Sequence, residues 1–277
     1  VACVRGDDLF DKADQFVDSN ISEMFSGEPF PPMGDVASIN AYLGAFPIAK
    51  ALDTGADIVV TGRCVDSAVT LAACLHAFKW RREDLNQLAM ASLAGHILEC
   101  GPQATGGNFT DWDQVHDLAQ IGYPIVEIFD HGGFLCTKPE GSGGIVTVGT
   151  IAEQIVYEIG DPQAYILPDV ICDFSNVMLE QVSDNKVLVS GALGRPAPSQ
   201  YKVCATYADG FRGGTIMTFY GIDAAKKAQK LADAVFTGAR KSCERLGLSD
   251  YSEISTEIIG AESQYGSHAA IVRPREV

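Results

Sequence analysis

The sequence predicts a mixed α/β fold, with strand-turn-helix units in the N-terminal part and a more antiparallel, strand-rich α+β second half. A β-branched apolar run at residues 55–62 leads directly into a segment with apolar residues at helical spacing. Beyond residue 120, short strand-like runs are separated by turn residues. The 277 residues are 47% hydrophobic and 20% charged, which is enough apolar material for a large core.

The N-terminal elements follow from local patterns. Residues 1–4 predict a short strand, and GADIVVTG at residues 55–62 predicts a buried parallel strand. Residues 67–79 predict a helix, because Ala and Leu residues recur there at helical spacing. A second helix is expected over residues 83–100, where Gly101 and Pro102 end it.

The second half alternates strands with two helices. Helices are expected at residues 150–159 and 223–246, the latter with Leu231, Val235 and Leu246 facing inward. Asp184 and Asn185 mark a hairpin turn between two strands. A boundary near residues 115–120 divides the chain into parts 1–118 and 119–277, although one continuous sheet gives the same pattern. The predicted strands are 124–128, 133–137, 144–148, 177–182, 186–191, 201–207, 213–220 and 254–259.

Charge and cysteine usage narrow the class of protein. The net charge of −16 repels phosphate backbones and anionic lipid surfaces, so we expect no nucleic-acid partner. No apolar run approaches the roughly 20 residues of a membrane span. The eight cysteines form no Cys-x-x-Cys pair and no Cys/His cluster, so we predict no metal site and a reducing compartment. That compartment is the cytoplasm, or the mitochondrial matrix in a eukaryote.

The first candidate site is the turn that follows the predicted strand at residues 55–62. Open α/β sheets bind ligands at the carboxyl ends of strands, where helix N–H groups favour anions. Gly62, Arg63 and Ser67 are therefore predicted to bind substrate, with Arg63 contacting a carboxylate or phosphate. The structural alternative is that Asp66 or Ser67 caps the helix while Arg63 pairs with a local acid.

The second candidate is a His/Glu pair at the end of the helix over residues 83–100. His96 and Glu99 are three residues apart and so share one helix face, beside Cys100. Such a pair can transfer a proton, and we assign both residues as catalytic candidates. The alternative is a buried histidine that simply hydrogen-bonds its neighbouring glutamate.

Two glycine-rich loops are further candidates. The segment TGGNFTDW at residues 105–112 combines glycines with polar donors and aromatic side chains, and the segment KPEGSGG at residues 138–144 brings a lysine beside glycines. The alternative for the first segment is a turn whose Asn and Asp side chains hydrogen-bond to their own backbone. The alternative for the second is a flexible hairpin loop with a solvated lysine. The predicted substrate-binding residues are Gln103, Thr105, Gly106, Gly107 and Asn108 in the first loop, and Lys138, Ser142, Gly143 and Gly144 in the second.

Long blocks of the chain resemble the acyclic terpene utilisation (AtuA-type) family. They include GADIVVTGRCVDSAVTLAACLHAF, AGHILECGPQATGGNFTDW, GYPIVEI, TKPEGSGGIVT and TIAEQIVYEIGDP. The resemblance implies further sequence before residue 1 and often a small ferredoxin-like domain after the last residue, in agreement with the abrupt strand-like ends. It implies a role in acyclic terpene catabolism, a pathway of branched acyl-CoA thioesters. It transfers no catalytic residue.

Three classes of function are compatible with these observations. The first is an enzyme that acts on a branched acyl or acyl-CoA ligand by proton transfer, as a lyase, a hydratase or in thioester chemistry. Asp66, or His96 with Glu99, would then move protons. The second is a non-catalytic binding or assembly module that contacts subunits of a biotin-dependent acyl-CoA carboxylase. The third is a metal-assisted hydrolase. Coenzyme A thioester is expected as a substrate rather than a bound cofactor, and a homo-oligomer is expected.

Overall fold

The computed structural model describes residues 1–260 and confirms a mixed α/β protein. Within these residues the helices α1 to α6 are Ala13–Asp18, Phe46–Asp53, Ala68–Phe78, Leu85–Glu99, Val148–Val156 and Ala224–Leu246. The strands β1 to β11 in the same residues are Ala2–Val4, Val36–Ala41, Val59–Thr61, Ile125–Ile128, Phe134–Thr137, Tyr165–Ile166, Ile171–Asp173, Met178–Ser183, Lys186–Ser190, Leu193–Arg195 and Val203–Tyr207.

The predicted N-terminal strand-turn-helix unit is confirmed, but its strand covers only Val59–Thr61 and is not buried as predicted, since Val60 is exposed. Strand β1 pairs with β3 in parallel, with Cys3 opposite Val60. The connection between the two strands includes α2, and α3 follows β3 after a turn of six residues that begins at Gly62. Because side chains alternate along a strand, Val4 faces the core while Cys3 and Val60 face outward.

Helix α4 is the central element of the core. Ten consecutive residues, Leu88 to Ile97, are buried, as expected for a helix that is covered on all sides. Gly95 permits the close approach of the neighbouring helix, because a Cβ there would lie 2.7 Å from the Cα of Ser67. This packing places the C-terminal end of α4 near the N-terminal end of α3.

The strand-rich second half is confirmed as antiparallel. Strands β4, β5, β9 and β8 form a four-stranded antiparallel sheet in that order. The predicted hairpin joins β8 to β9, and Asn185 adopts the left-handed conformation that this turn requires, with φ 55°. A smaller antiparallel sheet has the order β10, β7, β6.

The sequence patterns do not predict one long-range strand pair. Strand β2 pairs antiparallel with β11, so that Asn40 lies opposite Cys204 and Ser38 opposite Thr206. The Oγ atoms of Ser38 and Thr206 are 2.6 Å apart. This pair joins the beginning of the chain to residues beyond 200, and it builds one wall of a cleft described below.

Three predicted strands, at residues 144–148, 213–220 and 254–259, are wrong. At the first, Gly144 has φ +83°, and the N–H of Val146 donates to Oδ1 of Asn185 rather than to a ladder. The second segment begins with two glycines, which weaken a strand. Ile216 and Tyr220 within this segment, and Phe211 just before it, are exposed. Short apolar runs alone therefore did not create strands here.

Two compact units divide the chain, one covering Val1–Asp209 and a second beginning at Gly210. Helix α6 belongs to the second unit, and the predicted inward orientation of three of its residues is wrong, since Leu231, Val235 and Leu246 are all exposed. The boundary near residue 118 stays a prediction. Among residues 1–260, no helix combines the length and apolar character needed to cross a lipid bilayer.

Candidate functional site

An open cleft of about 530 Å³ lies at the carboxyl end of β3, in the first unit. We call it the first cleft. Three structural elements meet there: the turn after β3, the C-terminal end of α4 and the residues that follow α5. This is the edge at which α/β proteins bind ligands. The lining residues are Gly62, Arg63, Cys64, Asp66, Val69, Glu99, Cys100, Tyr157 and Glu158.

The second cleft, of about 560 Å³, adjoins the first because Gly62 and Arg63 line both. It lies against the β2–β11 pair. Its side chains are almost all polar, which suits a ligand with several hydrogen-bonding groups. The residues that line it are Asp7, Ser38, Asn40, Tyr42, Thr61, Gly62, Arg63, Cys204 and Thr206.

Asp7 fixes the turn between the two clefts. Its Oδ2 accepts hydrogen bonds from the backbone N–H of Arg63 at 2.8 Å and from Nδ2 of Asn40 at 3.0 Å. The bond from Arg63 is the main reason that the pKa of Asp7 lies below its usual value. Gly62 is required for this approach, because a Cβ at that position would lie 2.6 Å from Oδ2 and closer still to Oδ1.

The guanidinium of Arg63 is directed toward the second cleft. Its Nη2 donates to the hydroxyl of Tyr42 at 3.1 Å, and its Cζ lies 4.4 Å from the centroid of the Tyr42 ring. The hydrogen bond with Tyr42 is the main cause that raises the pKa of Arg63. Since Tyr42 lines the second cleft and not the first, the charge of Arg63 belongs mainly to the second cleft.

The structure brings His96 and Glu99 together as predicted. His96 is buried, and its Nε2 lies 2.9 Å from the backbone carbonyl oxygen of Gln154. Because a carbonyl oxygen can only accept, Nε2 must bear a proton. The other ring nitrogen, Nδ1, lies 3.3 Å from Oε1 of Glu99, and Glu99 lines the first cleft.

Gln154 locks this histidine between two helices. Nε2 of the Gln154 side chain donates to the backbone carbonyl of His96 at 3.2 Å. The backbone carbonyl of Gln154 in turn accepts from Nε2 of the His96 ring. Helices α4 and α5 are thereby joined by two reciprocal hydrogen bonds. The imidazole cannot rotate without leaving buried polar groups unpaired, so its Nδ1 is held toward Glu99.

Two cysteines in the first cleft were not predicted as site residues. Burial is the main cause that raises the pKa of both Cys64 and Cys100, and the charges of Asp66 and Glu99 respectively add to it. Thiols with raised pKa values are poor nucleophiles at neutral pH.

Tyr157 and Glu158 complete the first cleft and were also missed. Glu158 has φ 58°, in the left-handed region. This conformation is energetically unfavourable for a residue that has a side chain. A hydrogen bond with Glu158 is the main cause that raises the pKa of Tyr157. The sequence contains one usable signal for these residues, which is their position at the end of the helix predicted over residues 150–159.

The remaining predicted residues of the turn have different surroundings. Asp66 is exposed and lines the first cleft. Ser67 precedes α3 and is buried against Gly95, without a side-chain hydrogen bond to the helix. The capping alternative for Ser67 is therefore wrong, and its predicted contact with a ligand stays a prediction.

The first glycine-rich loop lines neither cleft. Residues Gly101–Thr105 form a short 3-10 helix, and Gly106 and Gly107 close it. The Thr105 hydroxyl is buried and donates to the backbone carbonyl of Gly122 at 2.6 Å. The positive φ of Gly106 permits packing against Val115. Gln103 and Asn108 are likewise absent from the lining of the two clefts.

The second glycine-rich loop folds onto itself and onto neighbouring backbone. Nζ of Lys138 donates to the carbonyl oxygen of Ser142 at 2.6 Å. A Cβ at Gly143 would overlap the carbonyl oxygen of Asp117, and one at Gly144 would lie 2.6 Å from that of Thr105. The glycines permit close packing, and the ligand-binding role of both loops stays a prediction.

Among residues 1–260, no group of three or more His, Cys, Asp or Glu side chains is arranged to hold a metal ion. A metal-assisted hydrolase therefore has no donor set to rest on in this part of the chain.

The fold and the two clefts define a mixed α/β protein with a His/Glu pair beside a cleft at the carboxyl end of a parallel strand pair. The chain matches the family described as acyclic terpene utilisation family protein AtuA over residues 1–276, and it belongs to that family. No curated protein and no solved structure matches the chain. The resemblance predicted from the sequence blocks is thereby confirmed.

Proposed function

We propose that the protein binds a branched acyl or acyl-CoA ligand in the first cleft and transfers a proton to or from it through Glu99. The observation that supports this most strongly is the orientation of His96, whose Nε2 donates to the carbonyl of Gln154 while Nδ1 faces Glu99. Membership of a family named for acyclic terpene utilisation supports the ligand class.

The two side chains are close enough to interact electrostatically. Nδ1 of His96 lies 3.3 Å from Oε1 of Glu99, which makes an ion pair when His96 is protonated. Glu99 reaches the cleft and His96 does not, so Glu99 is the catalytic candidate and His96 is a positioning residue that holds the second proton site.

Neighbouring groups have supporting roles in this proposal. Asp66 lies in the same cleft and offers a second carboxylate for proton transfer on the opposite face of a ligand. Val69 and the aromatic ring of Tyr157 provide apolar contact for a branched chain. This division of polar and apolar groups fits lyase or hydratase chemistry, in which a proton is moved at the carbon beside a carbonyl. It also fits thioester chemistry, in which a proton is moved to or from the attacking or leaving group.

Ligand binding and turnover can be tested separately. A panel of branched acyl-CoA thioesters should include one that raises the melting temperature, since a ligand at about 100 times its dissociation constant stabilises a protein by about 2.7 kcal/mol. The same ligand should slow alkylation of Cys64 and Cys100, which line the first cleft. Glu99→Gln should keep both effects and lose product formation. Failure of the whole panel to bind would contradict the proposal.

One observation favours the alternative of an assembly module. Ile58 and Val60 are more than half exposed, at 58% and 56%, and they face the same side of the β1–β3 pair. Parallel strands are normally covered on both faces, so an apolar partner surface would stabilise them. Stable co-elution with purified acyl-CoA carboxylase subunits, lost in Val60→Lys, would favour this function over catalysis.

A further inference from the structure

The two adjoining clefts differ in electrostatic character. The first contains three acidic side chains, Asp66, Glu99 and Glu158. Its one basic residue, Arg63, has its guanidinium turned toward Tyr42. A ligand with an anionic end would therefore be repelled from the first cleft, where the proposed reaction takes place.

The second cleft is lined by one cation and one carboxylate, Arg63 and Asp7, and Lys202 lies beside its Tyr42 ring, in a chain whose net charge is −16. The Tyr42 ring has two cations near it: Cζ of Arg63 at 4.4 Å and Nζ of Lys202 at 5.2 Å from the ring centroid. The acid of this cleft, Asp7, already accepts bonds from Arg63 and Asn40. Its charge is thus partly neutralised by groups of the protein itself.

Hydroxyl groups complete a set of donors around this positive charge. Ser38 and Thr206 face each other across the β2–β11 pair, with their oxygens 2.6 Å apart, and Thr61 lines the same cleft. Arg63 has five N–H donors, of which one is used by Tyr42. Phosphate and carboxylate oxygens accept several such bonds at once.

We propose that the second cleft binds the oxyanion end of the ligand, a phosphoester or a carboxylate, while the reacting carbonyl occupies the first cleft. The inference rests on the proposed function, because it assigns the two ends of one ligand. Arg63, which lines both clefts, lies where the two parts of that ligand meet. Tyr42 positions the Arg63 guanidinium, and Lys202 adds a second cation.

Titration calorimetry with inorganic phosphate, coenzyme A, pantetheine and a branched free acid tests this assignment. We expect coenzyme A to bind more tightly than pantetheine if the anion is a phosphoester, and the free acid to bind if it is a carboxylate. Affinity should fall as salt is added. Lys202→Ala should weaken binding about fivefold and Arg63→Ala by more than about tenfold. Lys50→Ala, an exposed lysine of α2 outside both clefts, should change nothing.

The outcomes separate this inference from the proposed function. No binding of any oxyanion probe, or unchanged binding in both Lys202→Ala and Arg63→Ala, would overturn the second-cleft assignment. Either result would overturn this assignment even if the protein showed proton exchange that depends on Glu99. Oxyanion binding that needs Arg63 and Lys202, with no exchange activity, would overturn the proposed reaction and leave the assignment standing.

Discussion

The substitution Gly62→Ala tests the packing that joins the two clefts. The new Cβ would lie 2.6 Å from Oδ2 of Asp7 and still nearer to Oδ1, which is inside van der Waals contact. Either the Asp7 carboxylate moves away or the turn is strained. Moving the carboxylate breaks two charge-assisted hydrogen bonds. Each contributes about 1.5 kcal/mol, the low end of the range for hydrogen bonds to charged groups, because Asp7 is partly exposed. Strain from overpacking costs about 1–3 kcal/mol.

We therefore expect Gly62→Ala to lower the free energy of unfolding by about 2–3 kcal/mol, measured by urea denaturation of the folded chain. Gly160→Ala is the matched control, because its Cβ would meet no atom within 4 Å and its backbone is not left-handed. In the double variant Asp7→Ala/Gly62→Ala the clash is gone, so its cost should be close to that of Asp7→Ala alone. Additive losses, or a neutral Gly62→Ala, would refute the reasoning.

Three further predictions concern stability and thiol reactivity. Asp7→Asn should lower the free energy of unfolding at neutral pH. The difference in unfolding free energy between wild type and variant should disappear as pH falls below the usual pKa of 3.8, because the pKa of Asp7 is lowered in the folded state. A difference that persists in acid would contradict this. Gly95→Ala should cost about 1–3 kcal/mol in urea, since its Cβ would lie 2.7 Å from the backbone of the residue before α3, and an unchanged midpoint would contradict that packing. At about pH 8, the exposed Cys204 should react with a thiol reagent far faster than Cys136 and Cys172. Burial raises the pKa values of those two thiols to about 12. Equal reaction rates would show that the core opens easily.

Much of the fold was predictable because its signals are local. The strand at residues 55–62, the helices now seen as α3 and α4, and the hairpin at Asn185 follow from side-chain periodicity and turn chemistry within short windows. The β2–β11 pair was not predictable in this way. Its two strands are more than 150 residues apart, and no local pattern records which strands meet.

The candidate site was predictable only in part, for the same physical reason. Arg63 and Glu99 were found because each lies at the end of a predicted element, where ligands bind. Asp7 and Tyr42 were missed, since they reach the site through long-range packing. The ligand-binding role of Gly106 and Gly143 stays a prediction, because a glycine that admits a neighbouring protein group has the same sequence signature as one that admits a ligand.

Deuterium exchange tests the central claim most directly. The protein is incubated in heavy water with the branched acyl-CoA thioester that binds most tightly, and incorporation beside the carbonyl is followed by mass spectrometry. We expect Glu99→Gln to slow exchange by at least about 100-fold, because general acid–base catalysis typically contributes that much. Glu127→Gln, an exposed carboxylate on β4 outside both clefts, should leave the rate unchanged. Equal exchange rates in the wild type and Glu99→Gln would contradict proton transfer by Glu99.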